Sequence, residues 1–268
     1  MRESLPNEDR QSGRVYLVGA GPGDPELLTV KAHRLLRCAD VVLHDALVSR
    51  EIVALASRRA QVIDVGKRCG AKGITQAEIN GKMIRAARHG LEVVRLKSGD
   101  PGLFGRLAEE TNALDAAGIS FEVVPGITAG IAAAASFGSP LTDRRTSSRV
   151  VILTNHQAGA AGGDWSNLAH EEGTFIIYMP GRDLAALRDK LLRAGLPPDL
   201  PTLLVSRVSE PNQRAWASPL GALGAAPVLD APSVLLVGRA LGRADEQVRL
   251  PWLSAAGDEA ALRPSRLG

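Results

Sequence analysis

Three short loops place glycine beside residues that can bind or move charge. Gly19-Ala20-Gly21-Pro22-Gly23-Asp24 leaves the apolar stretch 15–18, Lys97-Ser98-Gly99-Asp100-Pro101-Gly102 leaves 93–96, and Pro125-Gly126-Ile127-Thr128-Ala129-Gly130 leaves 121–124. Glycine has no β-carbon, so its carbonyl and amide can touch a ligand directly. Carbonyls suit a cation and amides suit an anion; a zwitterion with a cationic centre and an adenosine tail would use both. If the three strands are parallel, all three loops open at one edge of the sheet and line one crevice. A lone glycine turn is equally well a tight strand-to-helix connection.

The first loop is not a dinucleotide fingerprint. Its third glycine comes one position too early for G-x-G-x-x-G, and Pro22 sits where the turn would tighten; the G-K-[ST] of a phosphate loop is absent. An NAD-dependent oxidoreductase would need that fingerprint. Charged candidates stand at other strand ends: Asp45 after 40–43, Lys67-Arg68 after 61–65, Arg106 one turn before Glu109, and Arg144-Arg145 in a polar, basic stretch. Each has a plainer alternative. Asp45 could cap the next helix, Asp100 could be a turn residue, Lys67-Arg68 a solvated face, and Arg144 part of a linker. Met179, at a strand end, is a core residue as readily as a ligand contact. The five histidines lack metal-ligand spacing, and Cys38 and Cys69 form neither a zinc pattern nor a disulfide framework.

The elements that must hold these residues follow from periodicity. Strand-like runs at 15–18, 40–43, 61–65, 93–96 and 121–124 alternate with helical patterns. One helix is predicted from Pro25, with Leu27, Leu28, Leu35 and Leu36 inward, and a short one at 49–57. Another starts at the capping box Thr75-Gln76-Ala77-Glu78 and ends at Gly90. Two more are predicted at 105–117 and 127–136. This alternation predicts a mainly parallel sheet with helices on both faces. The second half reads as strands at 149–154, 174–179, 202–208, 213–216 and 233–237, one helix at 182–193, and a glycine- and alanine-rich loop at 157–163. Some connections are short enough for hairpins, so a mixed sheet is expected. The expected architecture is α/β: one domain at 14–137, a linker at 138–148, a second domain at 149–243, a cleft between the domains, and flexible tails at 1–13 and 244–268.

Composition narrows the class. The chain has 268 residues, 45% of them hydrophobic, enough to bury two medium cores. A net charge of +3 suits an anionic partner without identifying it. Aromatic residues, at 3%, are too few for the stacking platforms that hold single-stranded nucleic acid, so no nucleic-acid partner is expected. Residues 1–13 lack the apolar core of a secretory signal. No apolar run approaches the roughly 20 residues of a membrane span. A cytoplasmic protein without a membrane partner is the expectation.

The motifs also carry a resemblance. Gly-Ala-Gly-Pro-Gly-Asp-Pro-Glu-Leu-Leu-Thr (19–29), Asp-Ala-Leu-Val-Ser (45–49), Val-Gly-Lys-Arg (65–68), Arg-Leu-Lys-Ser-Gly-Asp-Pro (95–101), Phe-Gly-Arg (104–106), Val-Pro-Gly-Ile-Thr-Ala (124–129) and Pro-Leu-Thr (140–142) stand in matching order and spacing. From about Arg14 to Arg243 the chain resembles the tetrapyrrole methylase family, and within it the uroporphyrinogen-III C-methyltransferases. The segments 45–49 and 65–68 favour that branch over the later corrin-ring methylases. The resemblance implies two α/β domains, a homodimer, and S-adenosylmethionine bound bent in the cleft, with S-adenosylhomocysteine as product. Position by position, the cofactor would meet Pro22, Ser98, Gly99, Asp100, Leu103, Thr128, Ala129, Met179 and Val208. The proton-transfer pair falls on Asp45 and Lys67. The substrate would be a reduced macrocycle bearing many carboxylates, gripped by Arg106, Glu109 and Arg144, with Arg106 also serving catalysis. No metal is needed, because a sulfonium methyl is already activated.

The reaction so implied is the double C-methylation of uroporphyrinogen III to precorrin-2, feeding sirohaem, cobalamin or haem d. The alternatives are another precorrin-type substrate or a non-catalytic cofactor-binding relative. One two-domain unit fills the chain, so no dehydrogenase or ferrochelatase module is expected within it. Against the family pattern, Ser98 and Val208 replace glycines, Gly102 a bulky residue, Leu107-Ala108 glycines, Ala46 an arginine and His44 a tyrosine.

Overall fold

A computed structural model describes residues 12–66, 74–156, 165–166, 168 and 173–242. The chain divides into two units. The first comprises Met1–Ala133 with Arg207–Gln213, and the second Ala134–Ser206 with Arg214–Gly268.

The first unit is built on five strands: β1 (Val15–Gly19), β2 (Val41–His44), β3 (Gln61–Asp64), β4 (Val93–Lys97) and β5 (Phe121–Val124). Their order is β3-β2-β4-β1-β5, and every pairing is parallel. All five carboxyl ends therefore lie at one edge, which is the condition the three glycine loops needed. Helices α1 (Val30–Cys38), α2 (Arg50–Val53), α3 (Gln76–Arg88) and α4 (Leu107–Ala116) connect the strands, and α5 (Ala129–Ser136) follows β5. Two apolar layers result. Val15, Leu17, Leu43 and Val93 pack against Ile79, Met83 and Leu114. Val18, Val42, Val94 and Leu96 pack against Leu36 and Ile52. Alternation along each strand sends successive side chains to these two layers.

Local chemistry sets the helix bounds. The Thr75–Glu78 box is formed in both directions: the Glu78 amide donates to Thr75 Oγ1 and the Thr75 amide donates to Glu78 Oε2. The helix predicted from Pro25 starts later. Residues Pro25–Leu27 make only a 3₁₀ turn capped by Asp24, and α1 begins after Thr29, whose hydroxyl accepts from the Ala32 amide at 3.1 Å. Leu27 and Leu28 thus lie before the helix. The pattern at 49–57 yields a single turn capped by Ser49. The helix predicted from residue 105 starts at Leu107, because Phe104 and Arg106 hold left-handed backbone with φ of 55° and 57°. The one predicted from 127 starts at Ala129.

The second unit holds β6 (Val150–Thr154), β7 (Thr174–Tyr178), β8 (Pro201–Ser206), β9 (Arg214–Pro219), β10 (Ser233–Val237) and one helix, α6 (Leu184–Arg193). The order is β6-β7-β10-β8-β9; β6 and β7 are parallel and the other pairs antiparallel, the mixed sheet expected. Leu184, Leu187 and Leu191 of α6 face Phe175, Ile177, Leu204 and Leu235. Asp183 caps α6, its carboxylate accepting from the Ala186 amide at 2.9 Å, so the helix starts two residues later than the pattern predicts. The loop 157–163 and the tails 1–11 and 244–268 lie outside the described residues. No helix among the described residues is long and apolar enough to cross a membrane.

Candidate functional site at the sheet edge

The first two glycine loops are joined backbone to backbone, and the third packs against both. Gly21 and Gly99 form an antiparallel bridge, with Gly99 N donating to Gly21 O at 2.8 Å and Gly21 N to Gly99 O at 3.2 Å. A β-carbon on Gly19 would stand 2.6 Å from the Gly126 nitrogen, and one on Gly126 would stand 2.3 Å from the Gly99 oxygen. Only glycine permits that approach. Gly99 itself differs: a β-carbon there would meet only Thr128, at 3.8–3.9 Å. Glycine is favoured there by its backbone, with φ 67°, and not by lack of room.

Asp100 ties the assembly together. Its Oδ1 accepts from the Gly102 amide at 2.7 Å and its Oδ2 from the Gly126 amide at 3.0 Å. The carboxylate thus spans its own turn and the third loop. The first loop is braced from the far end of the sequence, by the segment Arg207–Gln213. The Asp24 amide donates to Ser209 Oγ at 3.0 Å, and a β-carbon on Gly23 would stand 2.8 Å from Glu210 Cγ. Val208, buried in this segment, has its carbonyl on the same glycine. Of the cofactor residues expected from resemblance, Pro22, Ser98, Gly99, Asp100, Leu103, Thr128, Ala129 and Val208 all belong to this first unit. Met179 and Arg144 belong to the second. Met179 directly follows β7, has φ 50° and is 44% exposed, so it is not a core residue. Arg144 is exposed.

Arg106 and Glu109 form a two-pronged pair, Nε to Oε1 at 2.7 Å and Nη2 to Oε2 at 2.6 Å. The Glu109 hydrogen bonds raise the Arg106 pKa and keep the guanidinium charged. The pair is exposed on the first turn of α4, so it contributes little to stability.

Asp45 does not cap α2; Ser49 does. The Asp45 carboxylate instead accepts from Arg95 Nη2 at 2.5 Å. Arg95 is 2% exposed, and all three of its nitrogens are used: Nε donates to Glu110 Oε1 at 2.9 Å and Nη1 to the Leu43 and Leu96 carbonyls. Lys97 Nζ lies 2.9 Å from Glu110 Oε2, an ion pair not aligned as a hydrogen bond. Burial lowers the Lys97 pKa, Arg95 lowers it further, and Glu110 and Asp45 oppose the change. Lys67 lies outside the described residues. The turn before it packs on the residue after Asp45: a β-carbon on Gly66 would stand 2.3 Å from Ala46 N.

Sequence reasoning missed Arg95, Lys97, Glu110 and the brace from Ser209. A signal existed for the first two. Charges two residues apart in an otherwise apolar run, read as a central parallel strand, must be buried and must find carboxylates. Nothing local pointed to Ser209, because its partner is 185 residues away.

Residues 14–224 match the model of the Tetrapyrrole (Corrin/Porphyrin) Methylases. A siroheme synthase 2 of Cronobacter sakazakii is 44% identical over 253 residues, covering 94% of this chain and 54% of that protein. A siroheme synthase of Escherichia coli is 42% identical, covering 94% and 55%. The chain spans about half the length of these curated relatives. Among solved structures, a uroporphyrin-III C-methyl transferase from Thermus thermophilus complexed with S-adenyl homocysteine superimposes with a TM-score of 0.75 at 39% identity, covering 86% of this chain and 99% of that one. A cobalt precorrin-4 methyltransferase gives 0.76 at 29% identity, covering 85% and 95%. With a family match over most of its length and a relative covered almost entirely, the chain belongs to the tetrapyrrole (corrin/porphyrin) methylase family.

Proposed function

We propose that this protein is an S-adenosylmethionine-dependent methyltransferase that adds two methyl groups to carbon atoms of uroporphyrinogen III, giving precorrin-2 for sirohaem, cobalamin or haem d. The observation that carries the reading is the joined set of glycine loops at one sheet edge, tied together by Asp100. Support comes from the Thermus thermophilus relative solved with S-adenyl homocysteine and from the siroheme synthases. A substrate further along the corrin route is the second reading, favoured by the comparable TM-score of the cobalt precorrin-4 enzyme; its identity is lower, 29% against 39%.

When bound, S-adenosylmethionine supplies a methyl group on a sulfonium, already activated without a metal. The protein's contribution is alignment, which can lower a barrier by about 7–11 kcal/mol. Pro22, Ser98, Gly99, Leu103, Thr128, Ala129, Val208 and Met179 hold the cofactor. Asp100 acts by clamping the loops that present those groups, since both its oxygens bind loop amides. Arg106, held by Glu109, and Arg144 grip substrate carboxylates; such charge-assisted bonds contribute about 1.5–3 kcal/mol each. Asp45 and Lys67 take and relay the ring proton that leaves as the new carbon–carbon bond forms. That step is worth roughly 10²–10⁴-fold in rate.

The enzyme works as a cytoplasmic homodimer. Val123 on edge strand β5 and Ile131 on α5 are 39% and 51% exposed, apolar surface of the kind a second copy covers. Sedimentation velocity tests the dimer. Calorimetric titration with S-adenosylhomocysteine and with NAD tests the cofactor. Incubation with labelled S-adenosylmethionine and freshly generated uroporphyrinogen III tests the reaction. Product with two added methyls is expected, and binding without turnover on any tetrapyrrole would end the enzymatic reading.

A further inference from the structure

The first unit buries more charge than the proposed chemistry uses. Arg95, Lys97 and Glu110 are each at most 3% exposed, and desolvating charged groups is costly unless close pairing and hydrogen bonds offset it. They form a chain of contacts that runs outward. Gln76 of α3 donates to Glu110 Oε1 at 3.3 Å, Glu110 accepts from Arg95 Nε at 2.9 Å, and Arg95 Nη2 donates to Asp45 Oδ1 at 2.5 Å. Exposure rises along that line: the side chains are 0% exposed at Glu110, 3% at Arg95 and 32% at Asp45. Arg95 also ties its own strand to the neighbouring β2 at this level, through the Leu96 and Leu43 carbonyls. A guanidinium fork with four fixed partners has one orientation, and a lysine in its place could not reach both carboxylates.

We propose that Arg95, anchored by Glu110, is a positioning residue that fixes the Asp45 carboxylate at the open sheet edge for the proton-transfer step. This rests on the methyltransferase reading and on Asp45 meeting the substrate. It adds what neither states: the angle of Asp45 is set from inside the sheet, not by its own loop. The side chain reaches the edge already held, so no reorientation is needed in the transition state.

The test uses the full chain and three variants: Arg95→Lys, Asp45→Asn and their combination. With uroporphyrinogen III and labelled S-adenosylmethionine, Arg95→Lys is expected to lower kcat by about 10²-fold, the loss typical of a group misplaced by an ångström. KM for S-adenosylmethionine and the affinity for S-adenosylhomocysteine should stay within about twofold of the parent, a split that general loosening of the fold would not give. The combination should be no slower than Asp45→Asn alone, because the two residues act as one unit. If the losses multiply, or if folded Arg95→Lys turns over like the parent, the proposal is overturned. Glu110→Gln, nearly isosteric, serves if Arg95→Lys does not fold, and a tenfold fall in kcat at unchanged cofactor affinity is expected of it. A parent protein that transfers no methyl group condemns the functional reading instead. The positioning claim is then read from a crystal structure of Arg95→Lys: displacement of the Asp45 carboxylate supports it, and an unmoved carboxylate refutes it.

Discussion

The two sheets handle buried polarity in opposite ways. In the first unit, β4 carries Arg95 and Lys97 into the interior, where Glu110 answers them. In the second, the polar side chains buried among the described residues are hydroxyls, such as Ser147, Thr174, Thr202 and Ser218. Those four hydroxyls bond within their own group: Thr202 Oγ1 donates to the Ser218 carbonyl at 2.7 Å, and Ser147 and Thr174 pair at 3.2 Å. The turns combine two solutions. Gly19 and Gly126 exist because backbone fills the place of a side chain. Phe104, Arg106, Arg207 and Ser209 of the first unit and Met179 of the second keep side chains in left-handed backbone, where a glycine would be easier. Strain retained for the sake of a side chain points to a use for that side chain. A hydroxyl core can be repacked piecemeal, whereas an ion network at a sheet edge specifies one geometry.

The sharpest way to break the contrast is Glu110→Ala. It strands two buried cations, so a loss of about 3–5 kcal/mol is expected, measured by urea unfolding. Thr202→Val in the other sheet should cost only about 1 kcal/mol by the same method. Gly126→Ala comes next. Its new methyl meets the Gly99 carbonyl, so about 1–3 kcal/mol of overpacking is expected, together with loss of S-adenosylhomocysteine binding in calorimetry. Met179→Gly should do the reverse to stability, raising it by about 1 kcal/mol as the strain is relieved, yet weaken cofactor binding. Unchanged binding would show the strain to be incidental.

The smallest effect is on pH. Burial lowers the Lys97 pKa, so the folded protein releases that proton at lower pH than the unfolded chain, whose lysine titrates at its ordinary 10.5. The unfolded state then binds more protons, and stability from this group rises with pH up to that value. Lys97→Met should flatten the alkaline rise in an unfolding series.

Much of the site was legible because its signals are local. The Thr75–Glu78 box needs only four residues. The strand–glycine-loop repeat needs only the parallel rule to bring three loops to one edge. The helix starts at 105 and 127 were misread by two residues. Periodicity registers side-chain type, and it says nothing of the left-handed backbone that Phe104 and Arg106 adopt around a glycine pressed on the Pro101 carbonyl.

By itself, the order of apolar runs, glycines and charges determined that this chain makes a parallel sheet followed by a mixed one, with charged groups at strand ends. Tertiary structure alone decided that Arg207–Gln213 braces a loop 185 residues earlier, and that Asp45 answers to Arg95 and Glu110 instead of to the helix beside it. The physical reason is range. Caps and turns are satisfied by neighbours a few residues away, whereas a buried charge takes whichever partner the fold brings within 3 Å, and no spacing along the chain records which one that is.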